Sequence, residues 1–551
     1  MADVDGATLV ARALKQQGVE YVFGIVGIPV TTIAGACQKE GIKYYGVRHE
    51  QAAAYAAQAI SYMTGKIGVA LVVSGPGMTN ALTAFGNAWA NCWPMLLIGG
   101  ASDLSQRGMG AFQECPQVEI ARPIAKWAQQ ETMIERIPTA IEAAIRTAMY
   151  GRPGPAYLDL PAELILGTVD EEKVHYPPPF PPAPRPMADP SVVQGAIAAL
   201  KSAERPLVIV GKGSAWSHAE EEVQKFVDST QLPYLASPMG KGVIPDDHPL
   251  SVAAGRTYAL QNTDLVFLVG ARLNWIMHFG LPPRFPENLR VVQLDIEPEE
   301  IGRNVPAEVA LIGDIKAVMG QLNDALEAEP WQFGKENEWR YGLDEAITKN
   351  RSNTEAMYAD DSVPMGYYRM LKELKDAMPR DAYVVSEGAS TMDIGRQVLD
   401  NYLPRHRLDA GTWGTMGVGP GFALAAQIAN PDQVVIDLEG DSAFGFDGLE
   451  VEVACRHNLP IVFVVANNNG IGGGPSEINR DQPLPPNSYV PNAHYERVIE
   501  AFGGDGYFVE TPDDFRKAVD TAIAKRRPSL ITVMLDPQAR RRPQQFAWLT
   551  R

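Results

Sequence analysis

Two short polar stretches stand out for the chemistry they could do: Gly440-Asp441-Ser442-Ala443 and, downstream, Asn467-Asn468-Asn469-Gly470. Asp441 offers a carboxylate and Asn468 an amide oxygen, both hard ligands. Joined by a backbone carbonyl such as that of Gly470, they suit Mg²⁺, which keeps further positions for water and phosphate oxygens. Each stretch follows an apolar run, Val434-Val435-Ile436 with Leu438 in one case and Ile461 to Val465 in the other. These runs read as buried strands and Gly448 to Asn458 as a helix, so the unit is β-α-β with polar residues at both strand ends. Ligands of a parallel sheet bind at the carboxyl ends of its strands.

The pattern of strand followed by glycine-rich turn recurs elsewhere. Phe23-Gly24-Ile25-Val26-Gly27-Ile28-Pro29 and Ser74-Gly75-Pro76-Gly77-Met78-Thr79-Asn80 both follow short apolar runs. Between them, Arg48-His49-Glu50-Gln51 leads into the alanine-rich helix Ala52 to Ala59. An acid in the first turn complements the helix dipole; Glu50 is also a carboxylate delivered to the ligand-binding end of a sheet. Near the second half of the chain, Glu387-Gly388-Ala389-Ser390 follows the strand Tyr383 to Ser386, and Gly414-Thr415-Met416-Gly417 precedes the small-residue helix Gly419 to Ala426.

These turns need a scaffold, and the chain is long enough for several. At 551 residues it exceeds one hydrophobic core, and two to four domains are expected. Three α/β blocks emerge, at 1–175, 191–345 and 362–539. The stretch 176–190 is proline-rich and reads as a stiff linker; 346–361 is charged and reads as a second linker. Strands ending in Gly or Asp, such as Pro206 to Gly211, Leu265 to Gly270 and Val291 to Asp295, are those of doubly wound parallel sheets. The formal net charge of −18 argues against a nucleic-acid binder, which needs a basic face. No apolar run approaches the roughly 20 residues that span a bilayer. Four scattered cysteines point to a reducing compartment, and the expectation is a cytoplasmic protein.

Taken together, the turns resemble those of thiamine-diphosphate (ThDP) enzymes. The resemblance implies three domains: pyrimidine-binding, central nucleotide-binding-like and diphosphate-binding. It places Mg²⁺ on Asp441, Asn468 and Gly470. ThDP contacts would come from Ile28, Pro29, Ser74 and Asn80 in the first block. In the third they would come from Glu387, Gly388, Thr415, Gly440, Ser442, Ala443 and Ile471. Glu50 becomes the carboxylate that activates the cofactor through its aminopyrimidine, and Met416 the apolar prop beneath it. In that family the glutamate serves a cofactor held by the partner subunit. Active sites at a dimer interface are therefore implied, with a homotetramer as the expected assembly.

Other stretches look like the 2-hydroxyacyl-CoA lyases within this family. They are Gly110-Ala111-Phe112-Gln113-Glu114, Pro116 to Glu119, Arg405 to Thr412 and the C-terminal Gln544 to Arg551. The implied reaction cleaves the C1–C2 bond of a 2-hydroxyacyl-CoA to formyl-CoA and an aldehyde or ketone, and runs in reverse as a condensation. Gln113, Glu114 and Glu477 are the candidates for handling substrate oxygens and protons. Gly472-Gly473-Gly474 removes bulk and suggests room for a branched substrate such as 2-hydroxyisobutyryl-CoA. Arg396, Arg405, Arg540, Arg541, Phe546 and Trp548 are candidates for CoA, with 540–551 as a lid. In the central block Arg152, Lys212, Arg272 and Asp295 could hold ADP. Alternatives are an oxalyl-CoA decarboxylase, an acetolactate-synthase-like ligase, and a non-catalytic nucleotide-binding homologue.

Overall fold

The computed structural model describes residues 3–541. Three parallel sheets carry the architecture. The first runs Lys43–Gly46, Tyr21–Gly24, Val69–Val72, Met95–Ala101, Pro155–Pro161, Trp127–Gln130 across its width. The third runs Arg407–Asp409, Tyr383–Ser386, Val435–Gly440, Val462–Asn467, Ser529–Met534, Asp505–Val509. Counted along each domain, both have the order 2-1-3-4-6-5, so the first and third blocks share one topology that their sequences do not display. The middle sheet, Tyr234–Ala236, Pro206–Val210, Leu265–Val269, Arg290–Asp295, Val309–Ile312, has the order 2-1-3-4-5.

The central strands are mostly apolar because helices cover both faces, with Asp437 and Glu439 in Val435–Gly440 as exceptions. Val69–Val72, Leu265–Val269 and Val462–Asn467 are buried at every residue. In each sheet the strand order reverses between the first and third strands, which opens a crevice at their carboxyl ends. Those crevices receive Ile28 and Ser74 in the first domain, Lys212 and Arg272 in the second, Glu387 and Asp441 in the third. In the third sheet Gly440 pairs with Ala466, so Asp441 and Asn468 leave neighbouring strands at nearly the same level.

The first and third domains are joined through two helices, Glu50–Thr64 and Val418–Ala429. A Cβ on Gly421 would come within 3.0 Å of the Ala52 carbonyl oxygen, so only glycine permits this approach. Tyr55 and Phe422 fill the joint edge to face at 5.7 Å.

Two local expectations change. The helix of the Asp441 unit begins at Asp441 itself (Asp441–Asp447) and continues after a tight turn as Val451–Arg456. The charged stretch 346–361 is largely helical, because Glu338–Tyr358 passes through it. Asn337 caps that helix by accepting from Arg340 N at 2.9 Å, and Trp339 and Leu343 bury its inner face, so its charges lie outward. From 174 to 189 the chain has neither helix nor strand.

Candidate active site

Asp441 is 3 % exposed, and its carboxylate is oriented by the backbone. Oδ1 accepts from Ser442 N at 2.7 Å and Oδ2 from Gly470 N at 2.8 Å. Burial pushes its pKa up to about 6, so the site favours a cation beside it. The Asn468 amide nitrogen donates to Tyr367 Oη at 2.9 Å, which turns its amide oxygen toward the Gly470 carbonyl oxygen, two acceptors face to face. Asp441, Asn468 and the Gly470 carbonyl thus converge. Opposite them Gly388, at φ +91°, approaches so closely that a Cβ there would lie 2.6 Å from Thr391 Oγ1 and 3.4 Å from Gly440 N. One carboxylate, an amide, a carbonyl and a bare backbone cradle fit a hard cation carrying a diphosphate.

Glu50 opens its helix and is 8 % exposed. Asn80, on the helix Pro76–Asn91, donates to Glu50 Oε2 at 3.0 Å. Gly77 keeps the other oxygen accessible, since a Cβ there would lie 3.4 Å from Oε1. Next to this pair, Ser74 Oγ donates to Gln113 Oε1 at 3.2 Å. Gln113 is held at φ +56°, with its own carbonyl packed on Gly75. Sequence reasoning missed what holds this turn. Gln117, 2 % exposed, accepts from Gly75 N and donates to Asp159 Oδ1 at 2.7 Å and to the Gly100 carbonyl at 2.9 Å.

Glu114, by contrast, anchors its own loop. Its carboxylate accepts from Gly108 N, Gly110 N and Ala111 N, bonds that hold its pKa below the usual range and make it a poor proton donor. Glu477 is exposed and has no hydrogen bond or ion pair among the described residues. Ile471 is 56 % exposed, Ile28 72 %.

The whole length of the chain matches one family. Thiamine pyrophosphate enzyme models fit in three parts: the N-terminal TPP-binding domain at residues 4–120, the central domain at 193–322 and the C-terminal TPP-binding domain at 387–533. The chain is a thiamine-pyrophosphate enzyme. It is 50 % identical to human 2-hydroxyacyl-CoA lyase 1 over 100 % of this chain and 97 % of that protein. It is 41 % identical to the 2-hydroxyacyl-CoA lyase of Arabidopsis thaliana, over 97 % and 96 % of the two chains. It is also 41 % identical to oxalyl-CoA decarboxylase of Escherichia coli K12, over 97 % and 95 %. ThDP is accordingly its cofactor. Gly388, Gly440, Asp441 and Asn468 build the cradle described above, and Ser442 and Ala443 complete its turn.

Thr415 and Met416 are fixed from the first domain: Tyr55 Oη lies 3.2 Å from Thr415 Oγ1, and Gln51 Nε2 donates to the Met416 carbonyl at 3.3 Å. Glu387 is fully buried and accepts from the N–H groups of Gly417 and, at 2.7 Å, Gly419. It therefore shapes the Thr415–Met416 turn from beneath and is not a surface contact.

Behind the cradle lies a set of buried carboxyls that the sequence reading overlooked. Asp437 and Glu439 alternate with Ile436 and Leu438 along one strand, and their carboxyls face each other, with no other side-chain or backbone partner among the described residues. Burial raises the pKa of both, and that of Glu387 beside them. Glu450 accepts from Arg48 N and His49 N at 2.9 Å, and burial followed by the nearby Asp447 pushes it up to about 8. Asp447 Oδ1 meets His49 Nδ1 at 3.0 Å. The residue preceding Glu50 is thus held by the third domain of the same chain.

The central domain contributes a cavity of about 340 Å³ between all three domains. Arg152, Lys212, Arg272 and Asp295, the ADP candidates, all line it, with Asn91 and Cys92 from the first domain. Burial and then Arg272 lower the Lys212 ammonium to about 7, the signature of a cation lacking an anion partner. Arg152 is occupied by Glu300 at 2.9 Å and Cys92 Sγ at 3.0 Å.

The CoA candidates divide. Arg405 donates to the Ala215 carbonyl at 2.6 Å and pairs with Glu220 at 2.9 Å, so it clamps the second domain to the third and is spent. Arg396 pairs with Asp409 at 3.0 Å and Asp393 at 3.3 Å, leaving only Nη2 without a partner. Arg541 pairs with Asp393, and Arg540 donates to the Pro537 carbonyl at 2.8 Å. Phe546, Trp548 and most of the expected lid lie outside the described residues.

Proposed function

We propose that the protein is a ThDP-dependent lyase that cleaves the C1–C2 bond of a 2-hydroxyacyl-CoA, giving formyl-CoA and an aldehyde or ketone. The observation that carries this reading is full-length similarity to 2-hydroxyacyl-CoA lyases, joined to an intact Glu50–Asn80 pair and an intact Asp441–Asn468–Gly470 set. Mg²⁺ is the metal these oxygen donors suit. When bound, ThDP supplies a carbon nucleophile for the thioester carbonyl and a sink for the electrons of the breaking bond.

The protein's own residues do the rest. Glu50 holds the proton that switches the aminopyrimidine, and Asn80 orients its carboxylate. The Ser74 hydroxyl donates to the Gln113 amide and orients it toward the substrate oxygens, where the amide binds and does not titrate. Glu114 holds the loop that presents Gln113. Glu477 is reserved for a proton-transfer role that depends on movement of its loop.

The surface supports a homo-oligomer. Met109, Phe112, Ile28, Phe446 and Leu449 are 58–76 % exposed, an apolar set that a second subunit would cover. A dimer with sites at its interface, paired into a homotetramer, is the form we infer. ADP in the central cavity is the second ligand, supported by Lys212 and Arg272 on its wall. Cytoplasmic action fits the four unpaired cysteines.

One assay tests the reaction. Enzyme with ThDP and Mg²⁺ is given 2-hydroxyisobutyryl-CoA, a straight-chain 2-hydroxyacyl-CoA and oxalyl-CoA, and formyl-CoA is followed. Release from a 2-hydroxyacyl-CoA supports the lyase. Release from oxalyl-CoA alone makes the protein a decarboxylase, and release from none removes the acyl-CoA reading.

A further inference from the structure

Asp159 is a buried acid in the first domain, and none of the proton transfers assigned above uses it. It lies on Pro155–Pro161, between Met95–Ala101 and Trp127–Gln130, and is 3 % exposed. Three neutral side chains donate to it. Gln117 Nε2 reaches Oδ1 at 2.7 Å, Tyr157 Oη reaches the same oxygen at 3.1 Å, and Gln130 Nε2 reaches Oδ2 at 2.8 Å. The charged groups around it are otherwise committed or distant. Arg107, exposed on the loop after Met95–Ala101, favours the ionised acid without pairing with it. Tyr157 is held neutral by burial, and Cys115 lies near that phenol. Glu131 accepts from Thr132 N and Met133 N and faces Arg136 at 3.9 Å. Glu142 and Arg146, on the helix Ile137–Met149, pair with each other at 2.7 Å, and Glu119 of Gln117–Ala121 is exposed. Met95–Ala101 has no titratable residue.

Gln117 carries this anchorage to the substrate side. Its Nε2 also donates to the Gly100 carbonyl at 2.9 Å, while its Oε1 accepts from Gly75 N. Gly75, at φ +58°, packs so closely on Gln113 that a Cβ there would lie 2.7 Å from the Gln113 carbonyl oxygen. Gly100 backs Pro29 in the same way, with a Cβ 2.6 Å from Pro29 Cδ. One amide thus joins the turns that hold Pro29, Ser74 and Gln113.

The orientation of that amide depends on the protonation of Asp159. An ionised carboxylate only accepts, so it takes the Nε2 end and leaves Oε1 to Gly75 N. A protonated Asp159 has gained a donor and lost acceptor capacity while three donors face it. The amide can then turn over and set Nε2 against the Gly75 N–H, donor against donor, which releases the turn. Burial, opposed by the bonds from Gln130, Tyr157 and Gln117, pushes Asp159 up to about 6, so the change falls inside an ordinary assay range.

We propose that Asp159 and Gln117 are positioning residues for the cleavage: the ionised carboxylate fixes the Gln117 amide, the amide fixes the Gly75–Gln113 turn, and only then does Gln113 meet the substrate oxygens. The role of Gln113 rests on the proposed function; the hold on Gly75 does not.

The test compares wild type with Asp159→Asn, both saturated with ThDP and Mg²⁺, by kcat/KM for a 2-hydroxyacyl-CoA from pH 5 to pH 8.5. Titration of other groups enters both proteins and cancels in their ratio. At pH 8 the variant should stand at least about tenfold below wild type, the scale of one hydrogen bond to a charged group. Near pH 5 the gap should close to less than about threefold, because wild type then carries the protonated acid. Gln117→Ala should show the pH 8 loss, and the double variant should be no worse than Gln117→Ala alone. Gln130→Met removes a bond that favours the ionised acid, so it should move the acid limb up by about half a pH unit or more and keep the alkaline plateau. Hydrogen exchange of the peptide from Ser74 to Asn80, read by mass spectrometry without substrate at pH 8, should rise in Asp159→Asn.

A ratio of wild type to Asp159→Asn that is constant across the range overturns the pair and leaves Asp159 a structural acid. So does unchanged exchange in that peptide. An acid limb that Gln130→Met does not move overturns it as well, and this arm holds even where Asp159→Asn does not fold. Wild type that cleaves no 2-hydroxyacyl-CoA, with exchange still raised in Asp159→Asn, sinks the proposed function and keeps the hold on Gly75.

Discussion

Glu50 starts one helix and Asn80 lies in the second turn of another, at the same end of the first sheet, and their side chains meet at 3.0 Å. The amide donates to one carboxylate oxygen and leaves the second without a hydrogen-bond partner among the described residues. Replacing Glu50 by Gln keeps the shape and removes the proton carrier. Turnover should fall by about 10²- to 10⁴-fold while ThDP is still bound. Asn80→Ala should cost about one to two orders of magnitude, because hydrogen bonds to charged groups are worth about 1.5–3 kcal/mol. Steady-state kinetics beside cofactor titration separates the two effects; a Glu50→Gln enzyme with normal kcat would make the protein's chemistry independent of this carboxylate.

Asp441 links cofactor retention to pH. Its folded pKa, about 6, is raised above the unfolded value of about 3.9. In the cofactor-free protein its contribution to stability is therefore complete below about pH 4 and is lost as pH rises through 6. Mg²⁺ with ThDP needs the ionised form, so the rise in melting temperature on adding them should be larger at pH 7.5 than at pH 5. Asp441→Ala should weaken cofactor binding by at least about 100-fold and flatten that difference. A thermal-shift series at the two pH values checks both.

Lys212 gives the opposite sign. Its folded value, about 7, lies below the unfolded value of about 10.4. Between these values the unfolded chain binds more protons, so the nucleotide-free protein gains stability from this group as pH rises and loses it as pH falls toward 7. A bound diphosphate restores the ammonium. ADP binding above pH 7 should take up a proton, and its affinity should decline toward pH 9. Calorimetry in buffers of different ionisation enthalpy reads the proton directly; no uptake at pH 8 would take Lys212 out of the nucleotide site.

The three glycines after Ile471 are not equivalent. A Cβ on Gly474 would lie 1.8 Å from the Asn469 carbonyl oxygen, and one on Gly473 would lie 2.2 Å from that of Pro537. Those two glycines serve the backbone next to Asn468. Only Gly472, at φ +73° with open space around it, removes bulk without a packing reason. Gly474→Ala should lower the melting temperature and cofactor retention, at about 1–3 kcal/mol. Gly472→Ala should cost about 1–2 kcal/mol of backbone strain and shift preference away from branched substrates. Equal kcat/KM ratios for branched and straight chains in wild type and Gly472→Ala would end the argument for a branched pocket.

What could be read from the sequence was what sits at short range. Asp441, Asn468 and Glu387 each follow a strand directly and Glu50 opens the helix four residues beyond one, so the period of the preceding residues pointed to them. The carboxyls of Asp447 and Glu450 could not be read that way, since they matter only because His49 and Arg48 reach them from some 400 positions earlier. Arg405 shows the converse: cationic and well placed in sequence, it is neutralised by Glu220, which no local pattern brings near. Asp437 and Glu439 did leave a signal, two acids alternating with apolar residues in a strand that was otherwise core. Asp159 left none, because Gln117 and Gln130 meet it only in space.

The carboxyls behind the diphosphate cradle bear on the protein's behaviour in an electric field. The figure of −18 assumes that every Asp and Glu is ionised at pH 7. Glu387, Asp437, Glu439 and Glu450 are all shifted toward the protonated form by burial. Native protein should therefore migrate as a less acidic particle than its composition dictates. On unfolding at neutral pH it should release those protons to the buffer, so that its domain joint acts as a small proton store opened by denaturation.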